Sequence, residues 1–200
     1  MPTEHWFPIP IYYNHIENLD EVQQELLSHV EKVNFHKVKH DNWDKNSAKF
    51  SDGYNEGKNL LNDIKPTLFL NELQKNLLEF YRNIHNGNDI YNIDFVITES
   101  WFTRTQKNEY HPQHLHSFSD ISGVYYIKTN GNDGNIAFHT PSSILVNSKF
   151  FSQKAQNVEY KPQVGKLILW PSLIEHHVIS NQTDDDRISL SFNISLRDRV

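Results

Sequence analysis

His114-Leu115-His116 sets two imidazoles one residue apart. On a strand, side chains alternate faces with period 2, so both would project from one face about 7 Å apart, and one metal ion could take both. His176 and His177 lie far downstream. An imidazole from that distant strand would close one triangular face of an octahedron. The remaining positions stay open for a co-substrate and oxygen, as non-haem iron oxygenation requires. Strand alternation lets only one of His176 and His177 face such a metal. Arg187 follows, and its planar guanidinium suits an anionic co-substrate.

Composition narrows the chemistry. The chain has no cysteine, so disulfides, thiolate zinc and iron–sulfur sites are excluded and any metal must be held by His, Asp or Glu. A net charge of −6, a pI near 6.0 and no clustered Lys or Arg argue against nucleic acid and anionic membrane. The expected partner is a small-molecule or protein substrate. The opening residues lack the basic and apolar regions of a signal peptide, and no apolar run reaches the length of a membrane span. A soluble, cytoplasmic protein is expected, in which the sequons at Asn181-Gln182-Thr183 and Asn193-Ile194-Ser195 are incidental.

At 200 residues the chain is expected to be one domain, 1–200, with 1–90 as a helical support and 91–200 as the core that carries the site. Leu19, Val22, Leu26, Val30 and Val33 predict an amphipathic helix near 18–33, with Asn18 and Glu21 as a capping pair. Leu70, Leu73, Leu77, Tyr81 and Ile84 predict a second after Pro66-Thr67, ending before Gly87. Residues 39–59 between them are polar, dotted with aromatics and aperiodic, a candidate lid or substrate loop. Strands are predicted near 93–105, 121–128, 134–139, 143–148, 165–170, 175–180 and 187–197, with turns at 130–134 and 162–165. This is a mainly β protein with N-terminal helices, a sandwich or jellyroll. On the last strand, Arg187, Ser189, Ser191 and Asn193 share one face, which either meets water or lines the mouth of the barrel. Ile188, Leu190, Phe192 and Ile194 share the other.

The runs HLHSFSDISGVYYI, GNIAFHTP, PQVGKLILWPSLIEHHV and DRISLSFN together resemble the 2-oxoglutarate and Fe(II)-dependent oxygenases related to prolyl 4-hydroxylases, of bacteria and their viruses. The resemblance covers about the last hundred residues and extends more loosely to Phe7-Pro-Ile-Pro and the two helices. It implies a double-stranded β-helix, a jellyroll with flanking N-terminal helices. It also implies an enzyme that uses Fe(II), 2-oxoglutarate and O2, with ascorbate as a candidate reductant, to hydroxylate a substrate while releasing succinate and CO2. By position it makes His114, His116 and His176 the metal ligands. It makes Arg187 the partner of the far carboxylate of 2-oxoglutarate, helped by Tyr126 and Ser191.

One departure stands out. The wider superfamily has His-x-Asp or His-x-Glu where this chain has His-Leu-His, and Asp120 is the nearest carboxylate that could replace His116. His111 is read as supporting the ligands, facing substrate or lying at the surface, and His139 as structural. A rival enzyme is a cupin, since His114-x-His116-x-x-x-Asp120 and His177-x-x-x-Asn181 partly imitate cupin metal motifs without their framing glycines. A third reading is a non-catalytic jellyroll that keeps its histidines incidentally.

Overall fold

The computed structural model describes residues 9–38, 45–85, 92–142 and 157–199. In chain order the elements are β1 (Tyr12–His15), α1 (Leu19–Val30), β2 (Phe35–Lys37), β3 (Lys49–Ser51), a 3-10 turn (Tyr54–Glu56), α2 (Leu60–Ile64) and α3 (Thr67–His85). Then come β4 (Ile93–Thr105), β5 (His111–His114), β6 (Ile121–Lys128), β7 (Ile136–His139), β8 (Asn157–Tyr160), β9 (Lys166–Pro171), β10 (His176–Val178) and β11 (Arg187–Asp198). The larger sheet runs β1-β9-β6-β11-β4-β3-β2 and the smaller β5-β10-β7-β8, each paired neighbour antiparallel. This is the jellyroll expected from the strand pattern. The N-terminal region is not purely helical, because it supplies β1 to one edge of the large sheet and β2 and β3 to the other.

Each face of the large sheet has its own core. On the outer face, Val22, Leu26 and Val30 of α1 and Phe69, Leu73, Leu77 and Phe80 of α3 bury against Tyr125, Leu167, Leu169, Leu190 and Phe192. The α3 stripe is rotated from the expected one. Phe69, Phe80 and the polar Glu72 and Asn76 are buried, while Ile84 is exposed. Asn76 faces inward because its amide oxygen accepts from the Tyr12 hydroxyl (2.6 Å) and Asn14 (3.0 Å), tying α3 to β1. Between the sheets, Val124, Tyr126, Ile168 and Trp170 of the large sheet pack on Ile136 and Phe138 of the small one.

Gly123 marks how tightly the outer layer closes. It lies across from Phe192 in the β6–β11 register, and a Cβ there would sit 2.4 Å from the Phe192 ring and 2.8 Å from Leu169. Gly123→Ala is expected to destabilise the protein by about 1–3 kcal/mol through overpacking, read as a lower urea midpoint at unchanged m. An unchanged midpoint would mean that the ring can step aside.

Several expectations need correction. Asn18 caps nothing, since it lies in the left-handed region (φ 51) with no side-chain cap bond. A different side chain acts at the start of α3, where the Glu25 carboxylate of α1 accepts from the amides of Leu68 (3.2 Å) and Phe69 (3.0 Å). Within the predicted loop 39–59, residues 45–59 are structured. Ala48 and Phe50 are buried with Trp101, and β3 pairs with β4, because these alternate apolar residues pack at the sheet edge with Val38 and Tyr54. The strand expected at 143–148, residues 39–44 of the loop and Gly87 lie outside the described residues.

Candidate active site

Three imidazoles converge between the sheets. His114 ends β5 and His176 begins β10, and the two are register partners, which brings their ring centroids to 4.2 Å. His116 is placed differently from the expectation. It lies two residues past the end of β5, so strand alternation does not aim it, and its amide instead donates to Ser172 O at 3.0 Å. One ligand atom from each of the three lies within 4.8 Å of the others. The Nδ1 positions of His114 and His176 face Pro112 O (2.7 Å) and Ile174 O (3.0 Å). Donation there leaves Nε2 of each as a lone pair turned to the cluster, the tautomer a metal requires.

Burial lowers the pKa of all three, well below the usual value for His176 and to about 3 for His116, so they are neutral at pH 7 and fit a divalent cation. His111 is buried rather than at the surface. It stacks on His114 at 4.1 Å, and its pKa is likewise held well down by desolvation. The sign of the linkage follows. Below about pH 6.5 an unfolded chain protonates these imidazoles while the folded one resists it, so acidification takes stability away, by about 1.4 kcal/mol per pH unit for His116 down to its folded value of about 3. The melting temperature of chelator-treated protein should fall steadily from pH 7 to 5. A flat profile would show that these rings take up protons without unfolding.

His177, beside His176, points to the opposite side, where its Nδ1 lies 2.8 Å from His139 Nε2. Asp120 is likewise outside the cluster, exposed, its carboxylate accepting from the Leu196 amide at 2.7 Å. Asn181 is fully buried and donates to Thr105 O and Asp185 O. The second cupin-like motif thus has both of its polar residues turned away from the imidazoles.

The polar face of β11 does not meet water. Arg187 (2 % exposed), Ser189 (5 %) and Asn193 (1 %) are buried, and with Ser191 and Tyr126 they line the same cavity as the three histidines. Arg187 is anchored by the turn at 130–134. Its Nη1 donates to Asp133 O (3.1 Å) and Gly134 O (2.7 Å), and its Nη2 to Thr105 Oγ1 (2.8 Å). That leaves about two of its five N–H donors for a ligand. Gly134 is obligatory in this turn, because at φ 105 a Cβ would lie 2.0 Å from Ile179 O. Burial raises the Tyr126 hydroxyl to about 12, so it remains a donor.

Strand β4 supplies residues that the sequence reading passed over. Glu99, Trp101, Thr103 and Thr105 pair with Asn193, Ser191, Ser189 and Arg187 and share their face. Period-2 alternation along β4 would have revealed them. Trp101 Nε1, Thr103 Oγ1 and, on β9, Trp170 Nε1 are buried on the cavity wall with no hydrogen-bond partner among the described residues. Buried orphan donors are uncommon and costly, and an oxygen-rich ligand would satisfy them. Asn193 supports His116, its Nδ2 lying 3.3 Å from His116 Nδ1 while donating to Glu99 Oε2 (2.8 Å), and its Oδ1 accepting from Ser122 (2.8 Å).

Comparison with known proteins agrees with this geometry. Residues 99–193 match the family model described as "Putative 2OG-Fe(II) oxygenase". No curated protein matches the sequence. Among solved structures, a Pseudomonas putida prolyl-4-hydroxylase superposes with TM-score 0.58 at 15% identity, covering 94% of this chain and 92% of that one. HygX from Streptomyces hygroscopicus, with nickel, 2-oxoglutarate and hygromycin B bound, gives TM-score 0.59 at 12% identity, covering 94% and 83%. A Trichoplax adhaerens prolyl hydroxylase in complex with a hypoxia inducible factor peptide fragment gives TM-score 0.57 at 15% identity, covering 92% and 83%. Identities this low speak for the fold, and the family model speaks for the sequence. Residues 99–193, which supply the imidazole cluster and Arg187, are thus similar in sequence to the 2OG-Fe(II) oxygenases, and the fold around them is similar to theirs.

Proposed function

We propose that this protein hydroxylates a substrate with O2 and 2-oxoglutarate, releasing succinate and CO2, at an Fe(II) held by His114, His116 and His176. The observation that carries this reading is the single cavity that has three neutral imidazoles on its wall and a buried arginine with unused donors beyond them. Together, iron and 2-oxoglutarate supply oxygen activation, in which loss of CO2 from the keto acid leaves succinate and one oxygen atom enters a C–H bond of the substrate. Arg187 would hold the far carboxylate, and Tyr126 and Ser191, on the same cavity wall, would donate to the same ligand. Because no carboxylate joins the three imidazoles among the described residues, the dianionic co-substrate would be what neutralises the metal. Within residues 1–90, β1 and the β2–β3 pair complete the two edges of the large sheet and brace the site, and the chain works as one domain.

The fold leaves the substrate class open between small molecule and protein, since one structural relative holds hygromycin B and another a peptide fragment. The test is co-binding. Mn(II), which avoids turnover, and 2-oxoglutarate should bind together with one-to-one stoichiometry, each tightening the other. A cupin would take the metal and ignore 2-oxoglutarate, and a non-catalytic jellyroll would take neither. Either result would sink the proposal.

A further inference from the structure

A second concavity abuts the imidazole cluster from outside. His116 and Asn193 belong to the walls of both the cavity and this groove, whose other sides include Thr98, Glu99, Leu115 and Phe118. A molecule in the groove therefore lies against the far side of His116. Of the residues that line it, only Glu99 carries a formal charge. Its side chain is exposed and one Oε accepts from Asn193, yet no Lys or Arg pairs with it among the described residues. Lys58, next to Gly57 on the rim, is engaged with Glu56 at 2.5 Å. Phe118 is 95 % exposed and Leu115 40 %, so an aromatic ring and an aliphatic side chain stand uncovered beside the carboxylate.

From this juxtaposition we infer that the groove binds the alkylammonium or guanidinium end of the substrate, with Glu99 as the counter-charge and Phe118 as an aromatic wall. A carboxylate and a ring face attract the same ligand, because the ring's quadrupole is negative over its face. A hydrocarbon stem beside the cation would cover Leu115. A negatively charged substrate is disfavoured at Glu99 and by the net charge of −6. The inference rests on the oxygenase reading only in naming the occupant a substrate; the charge preference of the groove is independent of iron. Glu99 also has a purely positioning alternative, holding Asn193 against His116.

Hexylammonium, hexanol and hexanoate differ in the head group and share the stem, so titrating each by NMR into metal-free protein and into protein loaded with Mn(II) and 2-oxoglutarate reads the preference directly. Hexylammonium should bind about tenfold more tightly than hexanol, with hexanoate weakest, and added salt should erode the difference. Glu99→Gln keeps an acceptor for Asn193 and loses the charge, so it should bring hexylammonium and hexanol level. Phe118→Ala, on an exposed side chain, should cost hexylammonium about threefold. Equal binding of the ammonium and the alcohol by the wild type, a preference that survives Glu99→Gln, or no hexylammonium binding at all would each overturn the inference. A purely positioning Glu99 would show itself as altered Mn(II) affinity in Glu99→Gln with the ammonium preference intact. If 2-oxoglutarate fails to bind while the ammonium preference stands, the oxygenase reading fails and the groove survives. The reverse result separates them equally well.

Discussion

His176→Ala should abolish stoichiometric Fe(II) binding, while His177→Ala should change the affinity by no more than about threefold. These adjacent imidazoles differ only in the face of β10 they occupy. His176 pairs in register with His114 and Phe138 and joins the cluster, whereas His177 pairs with Ala137 and its ring meets His139 on the other side. Outer partners of metal ligands are typically worth 10–100-fold in affinity, so losing a ligand itself should cost at least about a hundredfold. Anaerobic titration followed by equilibrium dialysis measures both variants. His116→Asp is the informative companion, since it restores the two-histidine, one-carboxylate set of the wider superfamily and should keep measurable iron where His116→Ala loses it. Iron binding that depends on His177 and not on His176 would shift the strand register by one residue.

The second large effect concerns Arg187. A ligand that binds only the folded state adds RT ln(1 + [L]/Kd), about 2.7 kcal/mol at one hundred times Kd, so 2-oxoglutarate should raise the melting temperature of Mn(II)-loaded protein by about 5–10 °C. Arg187→Lys should keep part of that gain, because a point charge cannot reproduce the fork. Arg187→Ala is a poor test by itself, since it leaves a cavity and strands the acceptors at Asp133, Gly134 and Thr105. Arg187→Met fills most of that cavity, although it strands the same acceptors. Its ligand-free melting temperature is its own baseline, against which the response to 2-oxoglutarate should disappear. A full response in Arg187→Met would relocate the anchor for the co-substrate.

The long strands were legible because their patterns are long. β4, β6 and β11 run 13, 8 and 12 residues and alternate clearly enough to give their bounds to within a residue. Strands of three or four residues were not. β1 reads Tyr-Tyr-Asn-His with three of four residues exposed, and β5 reads His-Pro-Gln-His, so neither carries an apolar period that a window could detect. Their pairing is imposed by the strand beside them. The identities of the three imidazoles were legible from spacing and resemblance, but the way His116 is aimed was not, since it depends on an amide bond to Ser172 across the site. The support of Arg187 was equally hidden. The glycine-rich turn at 130–134 announces a reversal of the chain, and nothing in its composition says that two of its carbonyls will hold a guanidinium from β11.

The burial of Asn181 and Asn193 carries a consequence for how this chain can be made. Both head an Asn-x-Ser/Thr triplet, and both side chains are committed in the finished fold, Asn181 to the carbonyls of Thr105 and Asp185 and Asn193 to Glu99 and Ser122. Neither amide can be reached by a transferase once the sheets have closed, so a sugar could be attached only to the nascent chain. There it would block closure, because an oligosaccharide has no room on a side chain that is 0 % or 1 % exposed. Synthesis through a glycosylating secretory pathway therefore sets modification in competition with folding, and the asparagine that steadies His116 would be one of the two places where the sugar wins.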